Sequence, residues 1–458
     1  MLLASSFVNT FMGIHLLKGW FPATVWYVTI VGIGLIAIGL LLRRSYKPVL
    51  VQLIVASISA VAAFFISWFC SNSMIFGAEL GWKVIHAVSF AFFIMGWTWA
   101  AVFTTRGWKR AVAIVLIPVT LLASAIHVDS IYGEYTTIGS IFNYSPYPLF
   151  HDGEVSTQTE SLVQWKQQAE LGESERVPDE GKTMRVNIPN TRSGFKARQA
   201  MVWLPPAAFA KRPPKLPVMV MLAGQPGSPG RYFGASNTVS VLTTYAHEHH
   251  GLAPIVVSPD QNGADDHNSL CSNTIKYGNA ETYLTQDVPD WIRHNLPVSD
   301  NPDDWVIGGF SQGGTCATSL APNYPELFGN VLAVDGELQP TDGTVAQMVR
   351  DDFAGDKYAY DRMVPTIALR ENAPSNQTMV IAAGNQDAYS MNNVKVIGAA
   401  AFEAGWHVVE LESLNAGHTW KAVNQVFAAA MPWYCERMGL GSVNKTWEDY
   451  SGIEVLRG

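Results

Sequence analysis

The sequence predicts a two-part protein: an α-helical four-span membrane unit, then an α/β domain built on a doubly wound, mostly parallel sheet of eight strands. Three observations predict it. Four long apolar runs, nearly free of charge, fill the first 128 residues. From about residue 183, short β-rich runs alternate with helical stretches. The charge divides along the same line: residues 1–128 carry 8 Lys/Arg and 1 acidic residue, net +7, whereas the remainder carries 22 and 37, net −15. With 48% hydrophobic and 15% charged residues in 458, the chain is too apolar for dominant disorder. Its acidic balance, without a basic stripe, argues against a nucleic-acid partner.

The apolar runs cover residues 22–42, 48–70, 82–105 and 111–128. At about 1.5 Å per residue each reaches about 27–36 Å as a helix, enough to cross a hydrocarbon core of about 30 Å. Lys83 is near an end of the third run and can snorkel. His86 and His127 are the other polar intrusions, read as interfacial or bonded between helices, with an intramembrane function as the alternative. Arg43, Arg44 and Lys47 lie between runs one and two, and Arg106, Lys109 and Arg110 between runs three and four. The loop over residues 71–81 holds no Lys or Arg. Both basic loops are therefore expected in the cytoplasm, with the N-terminus and everything after Val128 outside. Residues 1–18 lack a basic n-region and a small-x-small cleavage site. They are expected to lie as a helix in the outer interface; if they spanned, the N-terminus would be cytoplasmic.

Residues 129–182, rich in Gly, Pro, Ser, Tyr and acidic residues, read as an irregular extracytoplasmic stalk with one helix near 161–171. The domain over residues 183–458 has candidate strands at 184–188, 199–204, 217–222, 253–258, 304–308, 330–334, 378–382 and 407–411. Most are apolar throughout, as in strands covered on both faces. Helical stretches such as 237–250 and 280–294 lie between them.

The most specific local signal is Gly309-Phe310-Ser311-Gln312-Gly313-Gly314, between a strand and a helix rich in small residues. That is the setting of a nucleophile elbow, in which glycines permit the tight turn and expose the Ser311 hydroxyl. A serine needs a base, and His418 in Asn415-Ala416-Gly417-His418-Thr419-Trp420 follows the last strand. The acid should follow a late strand: Asp387 does so in Ala383-Gly384-Asn385-Gln386-Asp387, and Asp335 is its competitor one strand earlier. The oxyanion hole needs two backbone N–H groups. Gln312 should give one. The other should come from Ala223-Gly224-Gln225-Pro226-Gly227, where Pro226 has no N–H and Gln225 is the expected donor. His247, His249 and His250 lack the HExxH spacing and fall at a helix C-terminus, so no metal site is expected there. Trp420, two residues from His418, reads either as a wall of an acyl or sugar site or as core.

At these residues the chain resembles the Putative esterase family of α/β-hydrolases, which includes esterase D and the secreted, antigen 85-type mycolyltransferases. The resemblance spans roughly residues 183–435. It rests on the elbow, on Val202-Trp203-Leu204-Pro205-Pro206, on Ser258-Pro259-Asp260-Gln261-Asn262-Gly263, on the stretch from Glu281 to Ile292, and on Gly417-His418-Thr419-Trp420. The amino-terminal spans resemble those of actinobacterial membrane-anchored members. Of the four cysteines, Cys271, Cys316 and Cys435 lie in the domain expected outside, where a disulfide persists. Cys271 and Cys316 both fall at the catalytic edge and are the favoured pair, with three buried thiols as the alternative.

The leading expectation is a serine esterase that acts on a lipid or other ester through an acyl-enzyme. A second is an acyltransferase, in which a sugar or lipid hydroxyl resolves that intermediate. A third is a non-catalytic module that binds a glycolipid or protein partner. The chemistry needs neither metal nor organic cofactor.

Overall fold

The structure, a computed structural model, describes residues 2–42, 46–75, 79–173 and 175–458, with no side-chain description for residues 1–6. Contacts divide the chain into two units: residues 1–144 with His418–Trp420, and residues 145–417 with 421–458.

In the first unit, α1 (Leu2–Met12) precedes four long helices: α2 (Trp20–Leu41), α3 (Tyr46–Asn72), α4 (Gly81–Thr104) and α5 (Trp108–Tyr132). These four are long and apolar enough to span a membrane. Glycine and alanine set how closely they pack. A Cβ on Gly96 would meet Ser59 Oγ at 2.6 Å and the Ala56 backbone at 3.2 Å, so α3 and α4 touch through small residues. Ile36, Leu40, Ala56, Trp97, Ala101, Ala113 and Leu116 form the buried interior, whereas Ile30, Ile58, Phe65, Phe103 and Val115 point outward. Several hydroxyls along the spans are satisfied by their own helix, as a bilayer favours. Thr29, Ser67, Thr98 and Thr105 donate to the carbonyl four residues earlier, and the buried Gln52 Nε2 donates across to Thr104 Oγ1 at 2.7 Å. His127 packs edge-on against Trp26 and Phe90, and His86 lies beside Phe64 and Trp82. Arg43 and Arg44 fall outside the described residues.

The 11 residues of α1 reach only about 16 Å as a helix and cannot span. The chain after it pairs with the segment beyond the last span: Leu16 N donates to Thr136 O and Ile138 N to Ile14 O, each at 3.0 Å. Tyr144 also donates to Asn9 Oδ1. The two ends of the membrane unit are therefore on one side of the bilayer, as an even number of spans demands.

The second unit holds one nine-stranded sheet: β1 (Lys182–Val186), β2 (Ala200–Leu204), β3 (Val218–Leu222), β4 (Ile255–Ser258), β5 (Trp305–Phe310), β6 (Asn330–Val334), β7 (Thr378–Gly384), β8 (His407–Ser413) and β9 (Ile453–Arg457). Its order is β1-β2-β4-β3-β5-β6-β7-β8-β9, parallel from β4 to β8 and antiparallel at both edges. The central strands are buried along their whole length, which matches their unbroken apolar runs. The ninth strand exceeds the eight expected. Ile-Glu-Val-Leu-Arg shows a period of two, with Ile453 buried and Glu454 and Leu456 exposed: the pattern of a half-covered edge strand, unlike the core runs that dominate the sequence signal.

The region expected as a stalk is divided between the units. From Ser145 onward it packs on the second unit: Phe150 meets Trp291 edge-on at 5.6 Å, and the buried Trp165 donates from Nε1 to His250 O at 3.3 Å. Its helix, Leu162–Glu170, starts at a reciprocal Ser161/Gln164 capping box.

Candidate active site

Register brings the site residues to one edge. Leu222 of β3 pairs with Gly309 of β5, Phe310 with Val334 of β6, Val334 with Ala382 of β7, and Gly384 with Ser413 of β8. The loops bearing Gln225, Ser311, Asp335, Asp387 and His418 leave the carboxyl ends of these neighbouring strands, where open α/β sheets bind ligands.

Ser311 joins β5 to α6 (Gln312–Asn323) with φ 56° and ψ −119°, a conformation that costs a non-glycine residue of order 1–3 kcal/mol. Its neighbours make that turn possible. A Cβ on Gly313 would fall 2.2 Å from Leu222 O, and one on Gly309 2.4 Å from the Gly313 carbonyl carbon. Only glycine permits this approach of α6 to the strand ends. Ser311 N donates to Val334 O at 2.9 Å, which ties the turn to β6. The loop after β3 reaches the same point, since a Cβ on Gly224 would lie 3.4 Å from Ser311 Cβ.

Asp387 ends the turn after β7 and caps α7 (Ala388–Glu403): Oδ1 accepts from Ser390 N at 3.1 Å and Oδ2 from Ser390 Oγ at 2.6 Å. The cap and the helix dipole hold its charge in place. The loop toward His418 is zipped to the Asp387 loop. Asn385 N donates to Ser413 O, Gln386 N to Ala416 O and Asn415 N to Asn385 Oδ1, all within 2.9 Å. Asp335, with φ 52°, accepts from Gly384 N at Oδ1. One atom each of Asp335, Asp387 and His418 lie within 4.8 Å of one another; both carboxylates are buried and the histidine is half-buried. Two carboxylates thus approach one imidazole. Among the described residues this is also where three potential metal ligands converge. Burial first, and then the Glu337 and Asp387 charges, hold the Tyr389 phenol above its usual value.

Trp420 is buried, and its Nε1 donates to Glu134 Oε2 at 2.5 Å. His249 stacks on Tyr245 at 3.9 Å and bonds to two carbonyls, Tyr245 O and Ser442 O, a structural role for that histidine. Cys271 and Cys316 form a disulfide, Cα–Cα 5.7 Å, which joins the loop after β4 to α6. With a sequence separation of 45, such a bridge contributes about 4 kcal/mol in a chain-entropy treatment. Cys435 is free and buried, and burial pushes its thiol up. The Gln261-Asn262 segment carries part of the family resemblance, but its sequence gives no sign that these carboxamides, with Asn268, surround the Gln312 side chain. A run of amides after a strand carries no periodic signal, and their partners are about 50 residues away.

Sheet, elbow and register define an α/β-hydrolase. Residues 196–434 match the family described as Putative esterase, and the chain belongs to that family. An uncharacterized protein of Corynebacterium glutamicum is 29% identical over 343 residues, 73% of this chain and 78% of the relative. The diacylglycerol acyltransferase/mycolyltransferase Ag85C of Mycobacterium leprae is 33% identical over 78 residues, 16% of this chain and 23% of that enzyme, so the match spans well under two thirds of its length. The solved S-formylglutathione hydrolase of Agrobacterium tumefaciens superposes with a TM-score of 0.46 and 17% identity, over 57% of this chain and 95% of the hydrolase. The protein is a membrane-anchored, esterase-like member of the α/β-hydrolases with four amino-terminal membrane-spanning helices, distantly related to the esterase D and mycolyltransferase type.

Proposed function

We propose that this chain is a serine esterase acting at the outer face of the cytoplasmic membrane. Ser311 attacks the ester carbonyl while His418 takes its proton. The Gln225 and Gln312 N–H groups receive the negative oxygen. His418 then protonates the leaving alcohol and the acyl-enzyme remains; water, deprotonated by His418, releases the acid. Asp387 orients the imidazole and stabilises its cation. The observation that carries this reading is the strained Ser311 turn at a sheet edge where the carboxylates and His418 also converge.

A second reading, acyl transfer to a sugar or polyol hydroxyl, is favoured by the 78-residue similarity to an enzyme named as a mycolyltransferase. Membrane attachment supports an acyl donor held in lipid under either reading. The test is a chain-length series of p-nitrophenyl esters in micelles, with and without trehalose or glycerol, products resolved by mass spectrometry. Activity is expected to rise with acyl length, and the polyol to divert part of the acyl-enzyme into an ester. A sharp preference for acetate or butyrate with no acylated polyol would overturn the lipid-acyl reading and leave a tethered carboxylesterase.

The proposed side of the membrane rests on the basic loops around Lys47 and around Arg106, Lys109 and Arg110. Protease added to intact spheroplasts is expected to release a fragment containing Ser311. Full protection until lysis would reverse the orientation.

A further inference from the structure

Any esterase built on Ser311 needs its oxyanion donors fixed before reaction, because a donor that must reorient loses most of its value. The Gln312 N–H is attached to a peptide next to a strained residue, which has every tendency to relax. The Ser311 N–Val334 O bond holds that peptide on the strand side, and the Gln312 side chain holds it on the other. Its Nε2 donates to Asn262 Oδ1 at 3.0 Å and to Asn268 Oδ1 at 2.6 Å. Its Oε1 accepts from Asn262 Nδ2 at 2.8 Å and from Gln261 Nε2 at 3.3 Å. Asn262 and Gln312 thus face each other as a reciprocal amide pair.

The same segment grips the other wall. Gln261 Nε2 donates to Ala223 O at 2.6 Å, at the start of the loop that carries Gln225. Arg198 Nη2 donates to Gly227 O at 2.9 Å, at the end of that loop, and to Asp260 Oδ1 at 2.8 Å. Gln261 and Asn262 are 2% and 1% exposed. Burying carboxamides is costly unless their polar atoms are paired; here the pairing runs to both sides of one hole. Ser269 N donates to Asn262 Oδ1 and Ser269 Oγ to Gln261 O, so the segment is itself braced just before Cys271.

We propose that Asn262, together with Gln261, is a positioning residue for the oxyanion hole, fixing the Gln312 and Gln225 peptides through the Gln312 carboxamide and the Ala223 carbonyl. Neither residue need touch substrate. The proposal rests on the esterase reading above and extends it to residues outside the triad.

The test uses the full-length protein in detergent, with p-nitrophenyl butyrate as substrate and phenylboronic acid as the tetrahedral mimic. Asn262→Ala should lower kcat about 10- to 100-fold with KM within about twofold. It should weaken phenylboronic acid by a similar factor and leave end-point fluorophosphonate stoichiometry at one per chain. In a Gln312→Ala background it should add little, because both changes cut the same link. Asn262→Ser serves the same comparison if the alanine variant does not fold. Unchanged kcat, a loss matching the titrated fraction, or full additivity with Gln312→Ala would each overturn the proposal. A wild-type chain that neither hydrolyses the ester nor takes the fluorophosphonate would overturn the esterase reading itself, and the positioning role with it.

Discussion

Ser311→Ala and His418→Ala are each expected to lower kcat for ester hydrolysis by about 10⁶-fold, and the double variant by no more than either alone. The groups act as one unit: an alkoxide cannot form without the base, and the base has nothing to activate without the hydroxyl. Folding should survive both changes. Ser311→Ala keeps the backbone that Gly309 and Gly313 make possible, and the 413–416 segment is held by backbone and side-chain bonds to residues 385–386. Steady-state kinetics with a paired thermal melt checks this. Loss of activity with a collapsed melting temperature, or retention of more than about a hundredth of the rate, would contradict the assignment.

The second large effect distinguishes two carboxylates. Asp387→Asn should lower kcat about 10⁴-fold, because an amide favours the wrong imidazole tautomer and cannot stabilise the imidazolium. The N-cap of α7 should survive, since asparagine caps as well as aspartate. Asp335→Asn should cost far less, because an asparagine there keeps an oxygen that can accept from the Gly384 amide. Measuring kcat for both variants across pH separates them. A dead Asp335→Asn beside an active Asp387→Asn would transfer the acid's role to Asp335.

Most of this architecture was legible in the sequence, for identifiable reasons. Spans announce themselves by length and want of charge, so the helices end within a few residues of the expected bounds. Core strands covered on both faces are unbroken apolar runs, and eight of the nine strands, most of them such runs, were visible. The edge strand at Ile453–Arg457 was not, because half of its side chains face water and its signal is diluted. The elbow was visible because glycine spacing reports a backbone constraint directly. Two things were hidden. Val334-Asp335-Gly336 marked Asp335 as a rival acid but did not say that it approaches Asp387 and His418 together; the register of β6 and β7 decides that. The amide cluster around Gln312 joins segments about 50 residues apart, a distance that no local pattern spans. Trp420, read from its proximity to His418 as either a substrate wall or core, is buried with its N–H on Glu134.

Whether Ser311 is a nucleophile decides the proposed chemistry. Purified full-length protein should be treated with a fluorophosphonate, digested, and the modified peptide sequenced by mass spectrometry. The expected result is one adduct per chain, on Ser311, absent in Ser311→Ala and formed far more slowly in His418→Ala. An adduct on another residue, or none under conditions that label a control serine hydrolase fully, would contradict the account.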